Sequence, residues 1–312
     1  MERIETRMVY GDALADLGKV RQDIVVLDAD LYKSTRSVVF GQQFPDRFFD
    51  MGIAEQDMLS TAAGLAASGF VPYTNSFALF ITARCYDQIR VQIAYPSLPV
   101  KIVGSSAGLT QGPDGASHQS LEDVTLMRGL PNMTVVVPAD EIETRQATAA
   151  IADVPGPVYF RLGRYPTPRV FGADYQFKVG KNTTLREGKD ITIFACGHLT
   201  AKALEAADLL AKDRIEARVV NVSTIKPLDV AGVWSAAKDV KRVFTVEEHN
   251  IIGGLGSAVA ETLAEEARVP LTRIGVRDQF GESGMADELL EKYGLQGSGI
   301  YKSIMAALRA KE

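Results

Sequence analysis

The sequence predicts an α/β protein built from two parallel-sheet domains, the second smaller than the first. Three observations carry this. Short apolar runs alternate with stretches of helical periodicity, the pattern of parallel strands joined by crossover helices. A break at Tyr165 to Gly172, with Pro166, Pro168 and Gly172, interrupts that alternation, and it resumes after Asp190. The 312 residues match two domains of roughly 150 residues each.

The elements follow in order. Val9, Tyr10, Leu14 and Leu17 recur at helical spacing and predict an opening amphipathic helix. Ile24 to Leu27 is a short apolar run of the buried-strand kind. A helix is expected from Ala54 towards Gly69, a strand over Phe70 to Tyr73 and a second helix over Ala78 to Ala94. Strands are expected at 100–103, 134–137 and 158–160. After the break, strands are expected at 191–195, 217–222, 243–246 and 271–276, with helices at 199–210 and 254–266. The division is therefore a first domain over residues 1–170, a linker over 171–188 and a second domain over 189–312.

Composition excludes several classes. The formal charge of −5 gives no electrostatic footprint for nucleic acid. Cys85 and Cys196 stand far apart, so no disulfide scaffold is expected and a reducing cytoplasm fits. The first ten residues lack the apolar core of a signal peptide. Met58 to Ala83 carries no charge, yet Gly64, Gly69, Pro72 and Asn75 make it a folded interior, not a membrane span. From Met58 to Pro113 the only charged residues are Arg84, Asp87, Arg90 and Lys101. That depletion fits a sheet covered on both faces, or the core of a contact with another subunit.

Several short motifs have an ordinary reading beside a functional one. Glu55, in Gly52-Ile53-Ala54-Glu55-Gln56, opens a helix, where acids are common because of the macrodipole. It could instead present a carboxyl to a dry pocket where it can hold a proton. Phe77 and Phe80 could be core or could wall a flat heterocycle. Gly112-Pro113-Asp114-Gly115-Ala116-Ser117-His118 is a glycine-rich loop after a buried strand, where active groups tend to sit. Arg161 and Arg164 are either a solvated pair or a phosphate clamp. Gly253-Gly254-Leu255-Gly256 departs from a dinucleotide fingerprint because Val259 replaces its last glycine, so no nicotinamide site is expected.

In order and spacing, these pieces resemble the C-terminal half of transketolase, a thiamine diphosphate enzyme, and specifically the second subunit of a two-chain (split) transketolase. The resemblance spans essentially the whole chain. It is carried by Thr6-Arg7, Leu27-Asp28-Ala29-Asp30 leading to Ser34-Thr35, GIAEQ at 52–56, FALF at 77–80, DGASHQ at 114–119 and RLGR at 161–164. The later EEHN and GGLGS also fit.

The resemblance implies a pyrimidine-binding thiamine diphosphate fold followed by a smaller transketolase C-terminal domain. By the same resemblance, Glu55 hydrogen-bonds N1′ of the cofactor's aminopyrimidine, and Phe77 and Phe80 stack on that ring. Asp30 and Ile53 lie in the cofactor pocket. His118 is a catalytic group and a substrate-hydroxyl contact, Asp114 contacts the donor sugar, and Ser34 lies near the sugar. Arg7 and Arg164 anchor the sugar phosphate, with Arg161 a further candidate. The family holds the diphosphate through Mg²⁺ on a Gly-Asp-Gly motif followed by an Asn. Here Asp114-Gly115 follows Pro113, and Gly11-Asp12 precedes Ala13, so no metal ligand is expected in this chain. An N-terminal partner subunit is expected to supply the diphosphate and Mg²⁺ site in an α2β2 heterotetramer, with this subunit inactive without its partner.

The implied reaction is transfer of a two-carbon ketol unit between sugar phosphates in cytoplasmic carbohydrate metabolism. Ser106 stands where many family members carry a sugar-contacting histidine, which leaves the sugars open. The alternatives are a 2-oxoacid dehydrogenase E1 β-type subunit, a deoxyxylulose phosphate synthase-like subunit, and a non-catalytic regulatory module of the same fold.

Overall fold

The computed structural model describes residues 3–266 and 269–310. The larger sheet has seven strands in the spatial order Thr224–Lys226, Thr134–Val136, Val158–Arg161, Lys101–Ser105, Val71–Phe77, Ile24–Asp28 and Phe48–Asp50. Every neighbouring pair is parallel except the first, where Thr224–Lys226 runs antiparallel. The second sheet has five strands in the order Leu271–Val276, Arg242–Asn250, Ile191–Ala195, Ala217–Asn221 and Thr183–Arg186. It is parallel except for Thr183–Arg186. Both predicted parallel-sheet units are present.

The alternation of strand and helix follows from burial. Every residue of Ile24–Asp28, Val71–Phe77 and Lys101–Ser105 is buried, because helices cover both faces of the sheet. Helix Thr6–Val20 packs Val9, Tyr10, Leu14 and Leu17 inward, the residues whose spacing predicts it. Helix Glu55–Ala67 covers the opposite face through Met58, Leu59, Ala62 and Ala66.

Three expectations need correction. The helix expected over Ala78 to Ala94 is three pieces, Ala78–Thr82, Tyr86–Gln88 and a wide π-turn at Ile89–Ala94. Cys85 leaves helical geometry at φ −109°, ψ 15°, and this break redirects the chain beside Glu55. The linker expected over 171–188 contains strand Thr183–Arg186, which pairs with Ala217–Asn221 and so belongs to the second sheet. The domains also interlock. Thr224–Lys226 completes the edge of the first sheet from within the second half, and Pro166–Pro168 pairs with Arg3–Glu5. Residue spacing carries no signal for such three-residue strands.

Polar contacts cross the boundary at depth. Asn221 donates to the Glu143 carboxylate, and Glu248 accepts from the Thr110 N–H at 2.6 Å. The loop after Val276 presents Glu282, whose carbonyl accepts from Gln119 of the first domain at 2.9 Å. No helix among the described residues is long and apolar enough to cross a membrane.

Candidate active site

The candidate residues gather beyond the C-terminal ends of the parallel strands of the first sheet, where open α/β sheets place their sites. Asp30 follows Ile24–Asp28, Glu55 follows Phe48–Asp50, and Phe77 ends its own strand. His118 lies on the loop after Lys101–Ser105, and Arg164 follows Val158–Arg161.

Glu55 opens its helix and is 2% exposed. Its Oε2 accepts from Arg84 Nη1 at 2.7 Å, and its Oε1 accepts from Ser76 Oγ at 3.4 Å. Phe77 and Phe80 stack 6.0 Å apart at 30° between planes. The His118 ring stands edge-on to Phe80 at 5.1 Å and to Phe77 at 6.2 Å. The Arg84 guanidinium lies 4.6 Å from the Phe80 ring centre. One buried carboxylate, two aromatic faces and one imidazole therefore share a single corner. That set fits a flat, nitrogen-bearing heterocycle: the rings offer π-faces, and the carboxyl offers a hydrogen bond to a ring nitrogen.

A second group adjoins it on the glycine-rich loop. Asp114 accepts from Gln111 Nε2 at 2.6 Å, and Arg164 Nη1 reaches Gln111 Oε1 at 3.4 Å and Asp114 at 4.0 Å. Gly112 and Gly115 adopt φ of 84° and 75°, a backbone that favours glycine. A side chain at Gly115 would meet Ser283 Oγ at 2.5 Å, so the second domain presses directly on this loop.

Arg7 forms a third group with Ser34, whose carbonyl accepts from its Nη1 at 2.8 Å, while Glu5 holds its Nε. The Thr6 hydroxyl exchanges hydrogen bonds with Gly163, which brings the start of the first helix against the loop bearing Arg164. Asp30 joins the Glu55 side through Asp50, whose Oδ1 accepts from the Asp30 and Gly52 N–H groups. Ile53 is 80% exposed and lies on the rim.

Arg161 requires a correction. It is 8% exposed, and its Nε donates to Asp123 at 2.6 Å while Nη2 donates to the Glu248 carbonyl at 3.0 Å. The guanidinium is buried and engaged in bracing the two domains, not free at the surface as a clamp would need. Neighbouring position on the chain made Arg161 and Arg164 look alike; Arg161 ends the buried strand, whereas Arg164 lies beyond it.

Several features escaped sequence reasoning. Arg84 contacts Glu55 only because the expected long helix breaks. Asp30, Arg36 and Ser106 hold left-handed backbone, φ 58°, 70° and 56°, without being glycine. Such strain gathers at functional corners, and nothing in residue type announces it. Ser106 is fully buried. The helix N-terminus after Gly253-Gly254 is filled from within: the Leu255 and Gly256 N–H groups both donate to the Glu247 carboxylate at 2.7 Å. That places a carboxylate where a dinucleotide's pyrophosphate would need to bind. Among the described residues, no group of three His, Cys, Asp or Glu could hold a metal ion.

The family described as "Transketolase, pyrimidine binding domain" matches residues 2–168, and "Transketolase, C-terminal domain" matches residues 180–300. The chain belongs to the transketolase family. A relative named "Putative transketolase C-terminal section" from Methanocaldococcus jannaschii is 45% identical over 97% of this chain and 96% of its own length. A "6-deoxy-6-sulfo-D-fructose transketolase subunit" from Clostridium sp. is 46% identical over 95% of this chain and 92% of its own. A solved structure titled "Split gene transketolase, inactive beta4 tetramer" shares 50% identity and a TM-score of 0.92, covering 99% of this chain and all of that one. The chain is thus similar throughout to split transketolase subunits. Transketolases depend on thiamine diphosphate, and the Glu55, Phe77, Phe80 corner fits the pyrimidine half of that cofactor.

Proposed function

We propose that the chain is the pyrimidine-binding subunit of a heteromeric, cytoplasmic transketolase that transfers a two-carbon ketol unit between sugar phosphates. The observation that carries this reading is Glu55: a carboxylate buried at a helix start, beside a stacked Phe77–Phe80 pair. Held out of bulk water at the helix start, this carboxyl can make a hydrogen bond to a ring nitrogen without competition from solvent.

Thiamine diphosphate supplies the electron sink for carbon–carbon bond cleavage when bound. The residues of this chain bind, orient and shield. The Glu55 carboxyl holds and returns a proton at the pyrimidine N1′. Phe77 and Phe80 cover the ring and keep water from it, and Ile53 and Asp30 edge the pocket. His118 and Asp114 hydrogen-bond sugar hydroxyls, and Ser34 lies beside them. Arg7 and Arg164 place two cations towards the far end of the sugar, where a phosphate gains charge-assisted bonds.

On this reading a partner subunit holds the diphosphate and Mg²⁺ through Gly-Asp-Gly and Asn, and the pair assembles as α2β2. The relatives named as subunits support it. So do Ile53, Val91 and Tyr95, large apolar side chains left exposed in or beside the charge-poor stretch. The test is a reaction assay of the chain with its partner, thiamine diphosphate and Mg²⁺. Turnover of a ketose phosphate with an aldose phosphate is expected. Turnover of pyruvate with glyceraldehyde 3-phosphate instead would transfer the assignment to the deoxyxylulose phosphate synthase type.

A further inference from the structure

The Glu55 corner is already filled by a side chain. Arg84 Nη1 donates to Glu55 Oε2 at 2.7 Å, and the same guanidinium lies 4.6 Å from the Phe80 ring centre. A planar, nitrogen-bearing cation thus makes the two contacts that the aminopyrimidine would make, one to the carboxylate and one to the aromatic wall. Both cannot hold Glu55 Oε2 and the face of Phe80 together.

We propose that Arg84 stands in for the pyrimidine in the cofactor-free chain, and that it swings out when the cofactor enters. The proposal rests on the reading that Glu55 receives the pyrimidine ring.

The physical case has two halves. A carboxylate as buried as Glu55 is costly to leave without a counter-charge, so the empty pocket needs a cation. Arg84 is also able to leave. Its side chain is 45% exposed while that of Glu55 is 3% exposed, so outward rotation returns the guanidinium to water. Its backbone stays tethered, because Gln56 Nε2 donates to the Arg84 carbonyl at 3.1 Å. The break in the helix at Cys85 fixes that tether beside Glu55. A half-exposed pair of this kind has a small net worth, so it competes with the cofactor without excluding it.

The experiment compares wild type, Arg84→Ala and Arg84→Gln. Each is assembled with the partner subunit and titrated with thiamine diphosphate and Mg²⁺ by calorimetry; each is also melted alone. Removing Arg84 is expected to tighten cofactor binding roughly two- to five-fold. It is also expected to lower the melting temperature of the cofactor-free chain, because Glu55 then loses its counter-charge. Arg84→Gln keeps a polar, uncharged side chain at this position and guards against a variant that fails to assemble. Unchanged or weaker cofactor binding in both variants would overturn the proposal and make Arg84 a clamp that orients Glu55. If the wild-type complex takes up no thiamine diphosphate, the reading of Glu55 itself falls, and this proposal with it.

Discussion

Arg161 and Asp123 form an ion pair sealed inside the protein, with Nε donating to Oδ2 across 2.6 Å and side chains 8% and 0% exposed. Burial by itself would push the pKa of Asp123 up. The facing Arg161, aided by His249 and Tyr159, outweighs it and holds the carboxyl below its usual range. Arg161 also donates to the Glu248 carbonyl of the second domain, so one guanidinium ties a strand of the first domain to the second.

Replacing Arg161 by Met leaves that carboxylate buried and uncompensated. Unfolding in urea should show a loss of about 3–5 kcal/mol. A loss below about 1 kcal/mol, accompanied by a raised KM for the sugar phosphate, would return Arg161 to the phosphate site from which its geometry removes it.

Arg7 is predicted to act on substrate. Its Nη1 is shared with the Ser34 carbonyl, and its helix start abuts the Arg164 loop. In the assembled enzyme, Arg7→Ala should raise KM for a phosphorylated sugar on the order of tenfold with little change in kcat, the mark of uniform binding. Steady-state kinetics with phosphorylated and unphosphorylated sugars would show it, because only the phosphorylated substrate should respond.

His198 and Glu248 predict a pH dependence. Their Nε2 and Oε2 lie 3.3 Å apart, facing Arg161 and Thr110. Burial, with Arg161 and Lys202 adding to it, pushes His198 from 6.5 down to about 3, so it stays neutral. Burial pushes Glu248 from 4.5 up to about 7, so below that pH a protonated carboxyl faces the His198 Nε2. The raised Glu248 contributes stability that is complete below its unfolded value and fades as pH climbs through about 7. The depressed His198 contributes stability that is complete above 6.5 and fades as pH falls. Glu248→Gln keeps a donor for His198 and cannot ionise. Melting curves between pH 5 and 8 should show wild type losing stability relative to this variant as pH rises; parallel curves would contradict the assignment.

Gly11 is a packing test of the close contact between the first helix and Arg36. A side-chain carbon there would lie 2.6 Å from the Arg36 carbonyl oxygen and 2.8 Å from its Cβ. Arg36 is left-handed at φ 70° and cannot retreat cheaply. Gly11→Ala should therefore destabilise the chain by about 1–3 kcal/mol despite alanine's better helix propensity, measurable by urea unfolding.

The sequence revealed what repeats and hid what depends on contact at a distance. The parallel strands were legible because apolar runs such as Ile24 to Leu27 are buried on both faces. Helices Thr6–Val20 and Glu55–Ala67 were legible because each has an apolar stripe. The break at Cys85 was not, since Ala78 to Ala94 has neither proline nor glycine to mark it. Nor was the crossing of Thr224–Lys226 into the first sheet, a pairing of three residues with no local signature. Within the site, Glu55, Phe77, Phe80 and His118 stand together. Arg161 does not join them, because chain proximity to Arg164 says nothing about which side of the strand end it leaves. Arg84 was invisible as a partner of Glu55 for the same reason that the helix break was.

The central claim is that this chain carries half of a cofactor site, with Glu55 as its proton-handling group. The most direct measurement is a calorimetric titration of thiamine diphosphate and Mg²⁺ into the chain alone, the chain with its partner subunit, and Glu55→Ala with the partner. The account predicts stoichiometric binding only when both subunits are present. It also predicts that Glu55→Ala assembles normally yet loses ketol transfer by on the order of 10²- to 10⁴-fold. Binding of cofactor and metal by the chain alone, as tightly as by the complex, would contradict it, as would full activity of the Glu55→Ala complex.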